Sequence, residues 1–164
     1  MIHDFDMANF LMGELPVTVS AIGASIVDPD IGAAGDVDTA VVTLGYADGR
    51  IAVIQNSRRA VYGYDQRVEL LCSDGLLQAE NMTENTLVKS TRDGVSRAKP
   101  TYFFLERYMS AYEAEWDAFV TAVSNQQPMP VTLGDGVAAL AMAEAATRSH
   151  QSGAPAHLKD VMGE

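Results

Sequence analysis

Three Asp-Gly pairs punctuate the middle of the chain, at Asp48-Gly49, Asp74-Gly75 and Asp93-Gly94. Asp-Gly supplies the positive-φ geometry of a tight turn. Where it separates two alternating apolar runs it folds the chain back on itself as a hairpin. The first two pairs sit in that context: Val37–Tyr46 precedes and Arg50–Arg58 follows one, and Gln66–Cys72 and Leu76–Glu80 flank the other. Pro16–Val27 alternates through Val17, Val19, Ile22 and Ile26 and predicts a further strand, with a weaker one near Thr86–Thr91. Such connections make an antiparallel meander.

Helical periodicity brackets these strands. The first dozen residues predict a helix with Phe5, Met7, Phe10 and Leu11 as its apolar set and Gly13 as its stop. Leu105, Tyr108, Met109, Tyr112, Trp116, Phe119, Val120 and Val123 recur at i, i+3, i+4, which predicts a long helix with a core-facing stripe. Asp135 to about Ser149 is an Ala-rich helix able to pack closely. Asp28–Gly35 reads as a loop, and the tail from Gly153 as irregular. The expectation is an α+β fold: a mostly antiparallel open sheet of about five or six strands with helices packed on one face, residues 1–164 forming a single domain.

Composition narrows the partners. Lys and Arg number 11 against 22 Asp and Glu, a formal net charge of −11. Nucleic acid is excluded as the default partner, since phosphate contacts need clustered basic residues, and an anionic membrane surface is disfavoured. The apolar stretch from Leu15 to Val27 is too short to span a bilayer. Cys72 stands alone, so it offers neither a disulfide nor a Cys-based zinc site and reads as a small buried side chain. With no basic n-region at the N-terminus, a cytoplasmic location is expected. Asn81-Met82-Thr83 matches a glycosylation sequon, which without a secretion signal carries no expectation.

Few constellations could carry chemistry. Gly134-Asp135-Gly136-Val137-Ala138-Ala139 fits G-x-G-x-x-A, but a dinucleotide fingerprint needs a buried strand before it and a second parallel strand after its helix. The preceding segment is broken by Pro128 and Pro130, so Asp135 reads as an N-cap or first-turn acid. No metal is expected: on a helix His3 and Asp6 share a face at i, i+3 while Asp4 points elsewhere, and two ligands do not make a site. A hydrolase has neither a Ser-His-Asp spacing nor a nucleophile elbow to support it. His3 and Asp6 are either a solvated helix-end pair or a general base beside a hydroxyl-binding carboxylate, imidazole being the side chain that exchanges protons near neutrality. The Tyr62-Gly63-Tyr64-Asp65 connection offers two phenols, as packing residues or as substrate contacts.

These residues resemble a known family. Ile2-His3-Asp4-Phe5-Asp6-Met7-Ala8-Asn9-Phe10-Leu11 is similar to the helix that opens the second domain of the Gfo/Idh/MocA oxidoreductases, closest to the inositol 2-dehydrogenase branch. Asp28-Pro29-Asp30-Ile31, Gly35-Asp36-Val37-Asp38-Thr39-Ala40, Asn56-Ser57-Arg58, Tyr62-Gly63-Tyr64-Asp65-Gln66-Arg67, Ser73-Asp74-Gly75 and Arg107-Tyr108 follow in the family's order. The resemblance implies the C-terminal substrate-binding and oligomerisation domain, with the N-terminal Rossmann domain absent from this chain. No cofactor would bind here, and NAD or NADP would serve the intact enzyme. His3 matches the histidine at the reacting hydroxyl, Asp6 a polyol-binding acid and Tyr64 a substrate-side tyrosine. The resemblance implies Tyr62 and Tyr112 as further substrate contacts. Asn9 stands where many relatives have arginine. The implied partners are a cyclic polyol or sugar and further copies of the chain, joined through the open sheet face. The alternative is a stand-alone oligomerisation or interaction module without redox activity.

Overall fold

A computed structural model describes residues 1–163. In chain order the elements begin with α1 (Ile2–Met12), β1 (Thr18–Ala24), α2 (Pro29–Ala33), β2 (Thr39–Gly45) and β3 (Ile51–Ser57). Then come β4 (Val68–Cys72), β5 (Gly75–Ala79), β6 (Val88–Thr91), β7 (Gly94–Arg97) and α3 (Phe104–Ser124). The chain closes with α4 (Leu133–Ser152), β8 (Ala156–His157) and α5 (Leu158–Met162). These form two compact units: Met1–Arg59 with the chain from Val131 onward, and Ala60–Pro130.

In the first unit, β3-β2-β1-β8 make an antiparallel sheet. The Asp48-Gly49 turn joins β2 to β3 as expected, with Gly49 at φ 89°. The register sets Val19 beside Leu44 and Leu44 beside Ala52; the next inward row is Ala21, Val42 and Ile54. This face packs against the helices. Phe5, Val19, Val42, Leu44 and Met142 are its largest fully buried side chains. The small side chains of Ala138, Ala139, Ala141, Ala145 and Ala146 let α4 approach closely.

Helix α1 ends at Gly13 in the left-handed conformation, its N–H returning to the Asn9 carbonyl. Its buried side chains are Phe5 and Ala8, with Met12 half-buried against the core, whereas Met7 and Phe10, expected in the apolar set, are exposed. The segment expected to be a loop contains α2. Asp28 caps it, its carboxylate accepting the Asp30 N–H at 3.0 Å, and Pro29 fills the first turn. Asp-Pro is a turn signal and a helix-start signal alike. The expected irregular tail is also ordered: β8 adds to β1 at Thr18 and Val19, and α5 buries Leu158.

In the second unit the Asp74-Gly75 and Asp93-Gly94 pairs each close a two-stranded ladder, β4–β5 and β6–β7. The α+β class with antiparallel strands therefore holds, the strands being shared among one sheet of four and two of two. The expected core stripe of α3 is a correction. Trp116 is 65% exposed, Leu105, Met109, Tyr112, Phe119, Val120 and Val123 are exposed too, and Ala122 is the buried residue of the helix. Two isolated hairpins give such a helix no broad apolar layer within its unit. For the same reason Cys72, expected to be buried, is exposed at the end of β4.

Asp38 is 3% exposed and joins β1 to β2. Its carboxylate accepts the N–H groups of Ile26 (3.1 Å), Val27 (2.7 Å) and Asp28 (2.9 Å) and the hydroxyls of Thr39 (2.9 Å) and Ser25 (3.3 Å). Burial pushes this carboxyl up, but the converging donors outweigh it and hold it far below the ordinary range. Between the two values the unfolded chain holds a proton that the folded chain does not. The carboxylate's contribution is therefore complete above about pH 3.8 and drains away as the pH falls further. Asp38→Asn is expected to lower Tm by roughly 5 °C or more at neutral pH. Its melting temperature should fall less steeply than the wild type's below about pH 4 in circular-dichroism melts. In the same assay Phe5→Ala should cost about 3–5 kcal/mol and Phe10→Ala about 0.5 kcal/mol or less.

Candidate functional site

Helix α1 carries the first pair of candidates. His3 and Asp6 are both exposed, one turn apart on the side away from the buried stripe. Asp4 turns instead to the sheet, where its Oδ2 accepts the Asn56 Nδ2–H at 3.2 Å and fixes the first turn of α1 on β3. Both amide atoms of Asn9, one turn beyond Asp6, are buried without a hydrogen-bond partner among the described residues.

The Tyr62–Arg67 connection in the second unit is built around Asp65. This carboxylate, 16% exposed, accepts the Tyr62 phenol, Nε and Nη2 of Arg67 (2.7 and 2.9 Å) and Nδ2 of Asn81 (2.8 Å). The Arg67 guanidinium holds it down to about 2, against the opposing effect of burial and with help from Tyr62 and Asn81. The bond to Asp65 in turn pushes the Tyr62 phenol up. Asn81 also accepts the Gln66 N–H through Oδ1 at 2.7 Å, and the Tyr64 N–H is donated to the Thr101 carbonyl at 2.8 Å. Between the two tyrosines, Gly63 has φ 138°, and a Cβ there would stand 2.7 Å from the Pro100 carbonyl oxygen. Only glycine fits that approach.

Tyr64 meets Tyr108 of α3 edge-on, ring centroids 6.0 Å apart, and Tyr112 lies 6.1 Å beyond. The Arg107 guanidinium sits 5.6 Å from the centre of the Tyr108 ring. Burial, reinforced by the adjoining Tyr64 phenol, pushes the Tyr108 phenol up to about 12. In the same unit Gln66 Oε1, Thr101 Oγ1 and Arg107 Nε are buried without hydrogen-bond partners among the described residues. Buried polar atoms are paired in most native structures, which singles these three out.

The first unit thus brings His3 and Asp6 to one helix face. The second brings Tyr64 and Tyr112 to Tyr108, while Tyr62 turns to Asp65. By periodicity Tyr108 belongs to the α3 stripe, and the signal for a further role is its place in Arg107-Tyr108 among the ordered motifs. Asn81 has no such signal, and nothing in its spacing links it to Asp65.

The profile of a protein family described as "Oxidoreductase family, C-terminal alpha/beta domain" matches residues 1–158. This chain belongs to the Gfo/Idh/MocA oxidoreductases as a C-terminal domain. It is 46% identical over 162 residues to myo-inositol 2-dehydrogenase of Thermotoga maritima, covering 99% of this chain and 48% of that protein. The crystal structure of a probable dehydrogenase from Thermotoga maritima superposes with a TM-score of 0.95 at 46% identity, over 98% of this chain and 48% of that one. The scyllo-inositol dehydrogenase of Lactobacillus casei, solved with bound NAD(H) and scyllo-inositol, gives 0.86 at 26% identity over 96% and 46%. The chain spans about half the length of the curated relatives it matches.

The Gly134–Ala139 run of this Gfo/Idh/MocA domain does not fit a dinucleotide fingerprint. The G-x-G-x-x-A run lies in the first turn of α4, and no strand precedes it at residues 128–132. The Asp135 carboxylate occupies that helix end, accepting the Thr132 N–H and hydroxyl at 2.7 Å each. An acid held there repels the pyrophosphate that such a terminus would otherwise attract. Among the described residues no three His, Cys, Asp or Glu side chains gather as a metal site, and no helix is long and apolar enough to cross a membrane.

The Tyr108 phenol gives this half of the domain a signature. A phenol raised on folding stabilises fully below its unfolded value near 10.0, and that contribution is lost as pH rises toward the folded value of about 12. Alkaline melts should show a decline in wild-type stability over this range that Tyr108→Phe reduces, and ultraviolet titration of the phenols should lose its highest-pH component in the same variant.

Proposed function

We propose that the chain serves as the substrate-binding and oligomerisation domain of an NAD-dependent, inositol 2-dehydrogenase-like enzyme of the cytoplasm. In it a ring hydroxyl of a cyclic polyol is oxidised to a ketone. The observation that carries this reading is the 46% identity to a myo-inositol 2-dehydrogenase along 99% of the chain.

The side chains suit that chemistry. Taking a CH–OH group to C=O releases a proton and a hydride. His3 takes the hydroxyl proton on an imidazole nitrogen, and Asp6 stands one turn away on the same face of α1. Asp6 accepts hydrogen bonds from neighbouring hydroxyls, while the phenols of Tyr64 and Tyr112 can both donate and accept and that of Tyr62, its O–H given to Asp65, can accept. Gln66 Oε1, Thr101 Oγ1 and Arg107 Nε add one acceptor, one hydroxyl and one donor. The hydride acceptor lies outside these residues.

Oligomerisation rests on the outward face of the four-stranded sheet. Its rows are Thr18-Gly45-Ile51, Ser20-Thr43-Val53 and Ile22-Val41-Gln55, none of them charged. Ile22 is 80% exposed, Ile51 68% and Val53 64%. An uncharged apolar face on a chain of net charge −11 suits a second copy of itself. That face equally favours the second reading, an interaction module without redox activity.

Calorimetric titration with myo- and scyllo-inositol separates the two. Binding of either epimer, weakened roughly tenfold by Asp6→Asn, supports the dehydrogenase reading. An oligomer that binds neither leaves the interaction module. Light scattering should show the wild type as an oligomer and Val53→Asp as a smaller species, and a wild-type monomer would remove the oligomerisation role.

A further inference from the structure

The Tyr62–Arg67 connection is restrained far beyond what a surface loop needs. Asp65 gathers a phenol, a guanidinium and an amide; Asn81 holds Asp65 with one end of its amide and the Gln66 backbone with the other. Thr101 fixes the Tyr64 backbone, and Pro100 leaves no room for a side chain at Gly63. Six hydrogen bonds and one steric wall thus converge on a stretch that carries two phenols. Loops that only connect elements are ordinarily mobile, and ordering one in advance matters when its side chains must meet a ligand in a single geometry.

We propose that Asp65 and Asn81 act as a pair of positioning residues that lock Tyr62 and Tyr64 in one conformation and so set which cyclic polyol the domain prefers. This rests on the polyol-binding reading above. Epimers of a cyclic polyol differ only in the direction of a hydroxyl. Phenols free to swing would accommodate either direction, while phenols held from behind accept one and leave the other unpaired.

The pair permits a swap test. Asp65→Asn sets two amides against each other and removes the partner of Arg67. Asn81→Asp brings two carboxylates together. The double variant, Asp65→Asn with Asn81→Asp, again offers an amide N–H from position 65 to an oxygen at 81 and keeps an acceptor for the Gln66 N–H. Affinities of myo- and scyllo-inositol would be measured by calorimetry, alongside amide hydrogen exchange at Tyr64 and Gln66.

In the wild type both amides should be protected. Each single variant should lose protection at Gln66, narrow the ratio between the two epimers roughly tenfold, and keep its circular-dichroism spectrum; the double should recover the ratio to within about threefold. A loop that merely stabilises the fold would shift Tm without moving that ratio. Single variants that bind with the wild-type ratio overturn the inference, as does a double variant no better than either single. A wild-type chain that binds neither epimer removes the polyol reading itself, and this inference with it, before any variant is compared.

Discussion

The buried Asp38 carboxylate is the constraint from which the first unit is organised. Strand β1 must stop, the chain must turn through α2, and β2 must start in register with it. All three happen around one group that accepts three successive backbone N–H groups and two hydroxyls. Those N–H groups have left the ladder of β1 and would be unpaired without it. Once the junction is fixed, the register of β1 on β2 follows. Register decides which residues face the helices: a slip of one residue would turn Val19, Val42 and Leu44 outward and bring Ile22 and Val41 into the core.

The second unit repeats the device with a different outcome. Asp65, like Asp38, is a carboxylate whose cost of burial is outweighed by the donors around it, and both titrate below the ordinary range. Asp38 collects mostly backbone groups and so fixes the path of the chain. Asp65 collects side chains, among them a phenol, and so fixes where those side chains point. Placing these carboxylates where strands hand over to connections ties each unit's order to a few polar contacts rather than to apolar area alone.

How much of this was legible in the sequence depends on the range of the interaction. The hairpins were legible because Asp-Gly turns act over a few residues, and α1 because Gly13 closes it locally. His3 and Asp6 share a face by helical geometry alone, and the Tyr62–Tyr64 turn was recognisable by its composition. The remainder is non-local. Strand β8 is two residues long and exists only because Thr18 and Val19 offer an edge. The stripe on α3 was read correctly as a periodicity, but periodicity reports a face and not its partner, and the helix leaves that face open. Asn81 gave no sign of its role because its partner lies sixteen residues earlier. Helix α2 failed for a different reason, one dipeptide having two local meanings.

The far edge of the sheet carries a consequence of its own. Strand β8 pairs only the start of β1, and beyond it the last turn of α4 takes over: Ser149 Oγ accepts the Ala21 N–H at 2.9 Å and His150 Nδ1 accepts the Gly23 N–H at 3.3 Å. Side chains thus stand in for a neighbouring strand along this margin, and an incoming strand finds its donors already taken. A sheet stoppered on one side in this way resists indefinite strand-by-strand growth there. Its other, uncharged face has no such stopper, so the two margins of this one sheet are open to very different contacts.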